Sequence, residues 1–171
     1  MTRVSGVALV ALLVLVARVR GQGTGAVEAG VFGQYVNFDN SLGLENTLGV
    51  GAGIGVYLEP ALTLQLDGMR SSPAGSSYTP LRFRAVYHGA ADARVSPVLG
   101  GGYVRNWYGG PTPASDGGLS LLLGLRYRAG QRVWLQLGAD LDMMFHTADD
   151  TRFLFYNGNW GIHLGPAIRL R

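Results

Sequence analysis

Residues 47–67 read TLGVGAGIGVYLEPALTLQLD. Leu48, Val50, Ala52, Ile54, Val56 and Leu58 hold the even positions, and Thr47, Gly49, Gly51, Gly53, Gly55 and Tyr57 hold the odd ones. A repeat of two is the side-chain period of a β-strand, whose successive residues point to opposite faces. After Glu59-Pro60 the alternation resumes, with Leu62, Leu64 and Leu66 against Thr63, Gln65 and Asp67. Two strands joined by a turn therefore share one wholly apolar face and one face of glycine and short polar groups. The fold depends on which solvent the apolar face meets.

Composition narrows the answer. Of 171 residues only 15% are charged, below the quarter usual for soluble domains, and 27 are glycine. The length suits one domain. Cysteine is absent, which excludes disulfides, thiolate chemistry and a lipoprotein anchor. Residues 1–21 combine Arg3, an apolar run over 7–17 and a small-residue exit at Val19-Arg20-Gly21. That layout predicts a secretory signal peptide cut before Gln22, leaving 22–171 as the mature domain. The apolar run is too short for a transmembrane helix. All 14 basic residues are arginine; three of them, Arg3, Arg18 and Arg20, fall in the leader, and the remaining 11 balance 11 acids. A neutral mature chain gives a nucleic-acid partner no electrostatic support.

From the cleavage site onward, alternation predicts eight strands and no helix. The first covers about 26–38, with Phe32 and Val36 on the face of Glu28 and Gln34. The loop 39–46 leads into the hairpin that turns at Glu59-Pro60. A loop over 69–78, MRSSPAGSSY, precedes a fourth strand with Leu81, Phe83, Ala85 and Tyr87 opposite Arg82, Arg84, Val86 and His88. The fifth strand covers 95–107, with Ser96, Val98 and Gly100 on its polar side, and a loop over 108–118 follows. The sixth sets Leu119, Leu121, Leu123, Leu125 and Tyr127 against Ser120, Leu122, Gly124, Arg126 and Arg128. After Gly130-Gln131-Arg132 the seventh sets Val133, Leu135, Leu137, Ala139, Leu141 and Met143 against Trp134, Gln136, Gly138, Asp140, Asp142 and Met144. The loop 146–157 leads to the last strand, with Trp160, Ile162, Leu164, Pro166, Ile168 and Leu170 opposite Asn159, Gly161, His163, Gly165, Ala167 and Arg169. Connections alternate long and short. That is the plan of an all-β, eight-stranded antiparallel up-and-down transmembrane β-barrel, with strands of the 9–11 residues a tilted crossing needs.

Alternation by itself fits a second architecture. A soluble lipocalin-like barrel binding an apolar ligand would turn the apolar set inward. Its surface would be dense in charge, whereas the polar set here is mainly glycine, serine, glutamine and scattered arginine or aspartate. Small residues suit the interior of a narrow barrel, so the apolar set is expected to face lipid.

The stretches VEAGVFGQYVNFD (27–39), LGVGAGIGVYL (48–58), VSPVLGGGYVRNW (95–107) and LLLGLRYR (121–128) resemble the strands of OmpA/OmpX-like outer-membrane barrel domains. The resemblance covers the mature chain and rests on glycine and aromatic patterns. It implies a bacterial outer-membrane location, assembly by the barrel assembly machinery, a monomer, contact with outer-membrane lipid and lipopolysaccharide, and a structural or surface-interaction role in adhesion or envelope integrity. The sequence ends at Arg171, where such barrels usually finish on an aromatic used in assembly recognition. No peptidoglycan-binding domain is expected after the barrel, so that anchoring role is not carried over.

With the polar set inward, the lumen is expected to hold Glu28, Gln65, Asp67, Arg82, Arg84, Arg126, Gln136, Asp140, Asp142, His163 and Arg169, together with His88. Buried charges demand partners, so a plug of ion pairs is expected rather than a gated pore. Closure of the first strand on the last predicts a Glu28–Arg169 ion pair. A turn at Glu59-Pro60 would set Gly53 against Gln65 and Gly51 against Asp67.

Chemical motifs are sparse. The glycine runs lack the third glycine of GxGxxG, no GxxxxGK[ST] exists without lysine, and neither HExxH nor a cysteine cluster is present. No catalytic, cofactor-binding or metal-ligating residue is expected. His146 with Asp149 and Asp150 reads as solvated loop polarity. A lipid A-modifying barrel, a deacylase or palmitoyltransferase, is the enzymatic alternative and needs serine, histidine and acid together. Ser120 aligned with Asp142 about the turn at 130–132 is the placement that fits, without an assured histidine. Tyr78, Trp107, Tyr108, Phe153, Phe155 and Tyr156 are expected in an interfacial aromatic girdle, with ligand contact as the alternative.

Overall fold

In the computed structural model eight strands follow one another: β1 (Val27–Asn37), β2 (Thr47–Glu59), β3 (Leu62–Ser71), β4 (Ser77–His88), β5 (Val95–Gly109), β6 (Ala114–Arg128), β7 (Val133–Met144) and β8 (Gly158–Arg169). A 3-10 turn, Asn40–Leu42, interrupts the β1–β2 connection. The structure describes residues 24–89, 93–111, 113–145 and 158–170. The leader expected over 1–21, the segment 146–157 with His146, Asp149, Asp150, Phe153, Phe155 and Tyr156, and Arg171 lie outside the described residues.

Each strand pairs antiparallel with the next, and β1 pairs with β8 to close the barrel. Closure leaves no free sheet edge, so most backbone groups of the wall are satisfied within it. Strands of 10 to 15 residues exceed a minimal bilayer crossing.

Three boundaries differ from the sequence reading. The β3–β4 and β5–β6 connections shrink to 72–76 and 110–113, because ladder pairs continue through the serine- and glycine-rich flanks at Ser71↔Tyr78, Tyr78↔Tyr108 and Tyr108↔Ala114. Cross-strand pairing outweighs local loop propensity there. The first hairpin turns at Pro60-Ala61 with a bulge between Tyr57 and Glu59, so Gly53 pairs with Asp67 and Gly55 with Gln65, two residues from the expected register. An even shift keeps every side chain on its face.

The two faces separate cleanly. Leu48 and Val50 are each 74% exposed on the outside and Leu123 63%, whereas Arg82 and Asp142 are 1% exposed inside. An apolar exterior around a polar interior is the reverse of a lipocalin. Outward aromatics stand at both ends of the wall, Tyr35, Trp107 and Trp160 near the loops and Tyr87 and Tyr127 near the turns, with the pair Phe83 and Tyr103 between them. Tyr35 meets Trp160 edge-on at 6.2 Å.

Candidate functional site

The lumen is where the chemistry of this chain collects. Of the residues expected there, Asp67, Arg82, Arg84, Arg126, Asp140, Asp142 and His163 are buried, and Glu28, Gln65, Gln136 and Arg169 are half-buried. They form two tiers.

The upper tier joins neighbouring strands and also strands that share no ladder, such as β4 with β7 and β1. Arg82 on β4 donates from Nε and Nη2 to Asp142 on β7, at 3.0 and 2.8 Å to Oδ2, and from Nη1 to Gln34 Oε1 on β1 at 3.2 Å. Arg84 donates to Asp67 Oδ2 at 2.7 Å and pairs with Asp140. Asp140 also accepts from His163 Nδ1 at 2.5 Å and from Gln34 Nε2 at 3.2 Å. Ser120 donates to Asp142 Oδ1 at 2.7 Å. Arginine forks fill the carboxylate lone pairs from several directions, the condition under which buried charge is tolerated.

Glu28, Arg126, Tyr57 and His88 make the lower tier. Arg126 pairs with Glu28 and donates from Nη1 to Tyr57 Oη at 3.1 Å, while Tyr57 Oη donates to Glu28 at 2.8 Å. A guanidinium has no acceptor, so His88 Nδ1, 3.0 Å from Arg126 Nη1, is the accepting nitrogen. His88 Nε2 then donates to Thr63 Oγ1 at 2.8 Å. Arg169 lies opposite Glu28 on the β1–β8 ladder, but the expected Glu28–Arg169 ion pair does not form. Its guanidinium instead stacks over Tyr57, 4.2 Å from the ring centre, and over Trp134 at 5.1 Å. Arg126, which itself lies over Trp134 at 4.7 Å, reaches Glu28 across the lumen, while the face of Tyr57 holds Arg169.

Taken together, Arg82, Arg84, Arg126 and Arg169 balance Glu28, Asp67, Asp140 and Asp142. The balance holds only across both tiers, because the upper one carries an extra carboxylate and the lower one an extra arginine. Val86, Val98 and Leu122 pack as a small apolar cluster on the same inner face. A void of about 50 Å³, bordered by Glu28, Gln65, Arg84, Gln136 and His163, remains beside the glycines of β1 and β2.

Sequence reading missed the cap at the loop end. Val36, Phe38, Met69, Tyr78 and Tyr108 form a buried cluster there. Phe38 meets Tyr78 edge-on at 4.9 Å, and Tyr78 stacks on Tyr108 at 5.3 Å. Their hydroxyls are held by Asn106 and Asn159: Tyr78 donates to Asn106 Oδ1 at 3.0 Å, and Asn159 Nδ2 donates to Tyr108 at 3.1 Å. Tyr78 and Tyr108 are thus lumen groups, neither girdle nor exposed contacts, whereas Trp107 faces outward. Extending the parity of Arg82 and Arg84 back through 78 gives the orientation of Tyr78.

Ser120 does align with Asp142, as read from the turn. Its hydroxyl is fully buried and hydrogen-bonded to that carboxylate, while His88 and His163 are engaged with Thr63 and Arg126 and with Asp140 and Gln136. Among the described residues no group of three or more acids or histidines is placed to hold a metal ion.

No family profile and no curated protein sequence matches the chain. Solved structures do. The N-terminal β-barrel domain of Pseudomonas aeruginosa OprF superposes with a TM-score of 0.65 at 18% identity, covering 87% of this chain and 100% of that one. Neisserial surface protein A gives 0.63 at 18% identity, covering 85% and 96%. The outer membrane protein OprG of Pseudomonas aeruginosa gives 0.60 at 12% identity, covering 86% and 96%. At such identities the likeness is one of fold, and the fold this chain shares is that of the small outer-membrane β-barrels.

Proposed function

We propose that the chain is a small, non-enzymatic barrel of the bacterial outer membrane with a structural or surface-interaction role. The observation that carries this reading is the pairing of an apolar exterior with a filled, polar lumen. In water the outer wall would be a continuous apolar patch far beyond what monomeric soluble proteins expose. In a bilayer the same wall is solvated by acyl chains, and aromatics at its two ends match the two interfaces. The paired charges and the apolar cap leave the lumen packed rather than open, which favours a structural plug over a conducting pore. Its partners in this reading are outer-membrane lipid and lipopolysaccharide, with the barrel assembly machinery inserting it as a monomer. Adhesion or envelope integrity are the duties that such a wall and its loops support.

Outer-membrane fractionation combined with heat-modifiable migration on a gel tests the proposal. The expected result is recovery with the outer membrane and a folded band that shifts on boiling. Recovery as a soluble periplasmic protein would overturn it. Loop-exchanged variants that fold yet lose adhesion would assign the surface role to the loops.

A further inference from the structure

Two interruptions of the sheet ladder fall on one stretch of the outer wall. Between β3 and β4 the pairing reaches Gly68↔Leu81 and resumes at Ser71↔Tyr78. Between β1 and β8 it reaches Gly30↔Ala167 and resumes at Gly33↔Leu164. A proline sits in each gap, Pro80 in one and Pro166 in the other, where the missing N–H removes a rung. Both prolines border an open groove of about 800 Å³ that crosses the outer face from β8 to β5. Small residues Gly33, Ala52 and Gly68 recess it, and the taller Val50, Leu81 and Trp107 wall it.

One charged side chain lines this groove, Arg70, exposed at the loop end of β3. A second arginine stands close by on the same outward face: Arg105 pairs with Leu81, and its Nη2 donates to Ser115 Oγ at 2.7 Å. Among the described residues, no acidic side chain lines it. Arginine on a lipid-facing wall is unfavourable near the bilayer centre and tolerated toward the interface, where it meets headgroups. Apolar walls alone would suit any bulk acyl chain; two arginines at one end select for negative charge.

We propose that this groove seats an acyl chain of a phosphorylated, anionic lipid of the outer leaflet, whose phosphate is held by Arg70 and Arg105. The assignment rests on the outer-membrane reading and adds to it a defined site. Trp107, on the groove wall, supplies the probe. The full chain is refolded into bilayers containing brominated-chain phosphatidylglycerol, or, at the same mole fraction, brominated-chain phosphatidylcholine. The Trp107 signal is the difference between wild type and W107F. Stronger quenching by the anionic lipid is expected, with an enrichment of about fivefold for each arginine. In R70Q/R105Q that preference should vanish, whereas R70K/R105K should keep most of it. R94Q/R132Q, altered at the turn end, should leave it unchanged. Insertion with equal quenching by the two lipids, or a preference that survives R70Q/R105Q, overturns the site alone. Failure to insert into either bilayer, read as no heat-modifiable band, overturns the membrane reading and the site with it.

Discussion

Arg82 on β4 and Asp142 on β7 are joined across the lumen by a two-pronged contact, with Nη2 to Oδ2 at 2.8 Å, although three strand interfaces separate them along the wall. Both side chains are almost wholly buried. Removing one partner strands a charge, which for buried pairs costs about 3–5 kcal/mol. R82M and D142L are therefore each expected to lower the unfolding free energy of the refolded barrel in urea by about that amount. The double variant R82M/D142L should lose clearly less than the sum of the two. Strict additivity in this cycle would show that the contact contributes nothing of its own.

The two lower arginines predict unequal outcomes. Arg126 satisfies Glu28, Tyr57 and His88 at once, whereas Arg169 stacks on Tyr57 and Trp134 and supplies the surplus positive charge of its tier. R126M should destabilise by about 3 kcal/mol or more because Glu28 is left unpaired. R169M removes ring contacts, which contribute about 0.5–2 kcal/mol, and a balancing charge, but leaves Glu28 paired with Arg126. Equilibrium unfolding of both variants in one detergent decides the order; a larger loss for R169M would reverse the assignment.

Glycines on the inner wall make room for neighbouring side chains, whereas Gly33 on the outer wall borders only the open groove. A Cβ on Gly53 would lie 2.9 Å from Asp67 Cβ, inside the ladder that places Asp67 for Arg82 and Arg84. Gly33, facing outward, would meet nothing within 4 Å. G53A is expected to cost about 1–3 kcal/mol through overpacking. G33A should be neutral, or stabilising by up to about 1 kcal/mol, because glycine weakens a strand entropically. Urea midpoints of the two variants, measured side by side, check the contrast.

Side-chain parity explains both what was legible in advance and what was not. Gln65, Asp67, Arg82, Arg84, Asp140 and Asp142 all alternate with apolar neighbours, so one decision about solvent places them together. Nothing in a period of two says which charge reaches which. Glu28 and Arg169 meet on the ladder, yet the choice of Arg126 depends on side-chain reach across the lumen and on where Tyr57 and Trp134 stand. The cap escaped notice because serine, glycine and proline near Tyr78 and Tyr108 read as loop, while the ladder carries both strands past them. Pro60-Ala61 as the turn is equally a matter of bulge geometry, which the flanking Leu58-Glu59 and Leu62 do not encode.

Ser120 separates the structural reading of the lumen from the enzymatic one. Its hydroxyl donates to Asp142 Oδ1 at 2.7 Å, beside the Arg82 fork on the same carboxylate. A nucleophilic serine gives its proton to a histidine base with the acid behind that base; here the acid itself is the acceptor. S120A then removes one hydrogen bond to a charged group, and a loss of about 1.5–3 kcal/mol in unfolding free energy is expected. The lipid A species of cells expressing S120A should match those of cells expressing the wild-type chain at equal outer-membrane abundance. A wild-type-dependent change in lipid A acylation that disappears in S120A, with folding intact by heat-modifiable migration, would establish a catalytic lumen and displace the plug interpretation of the upper tier.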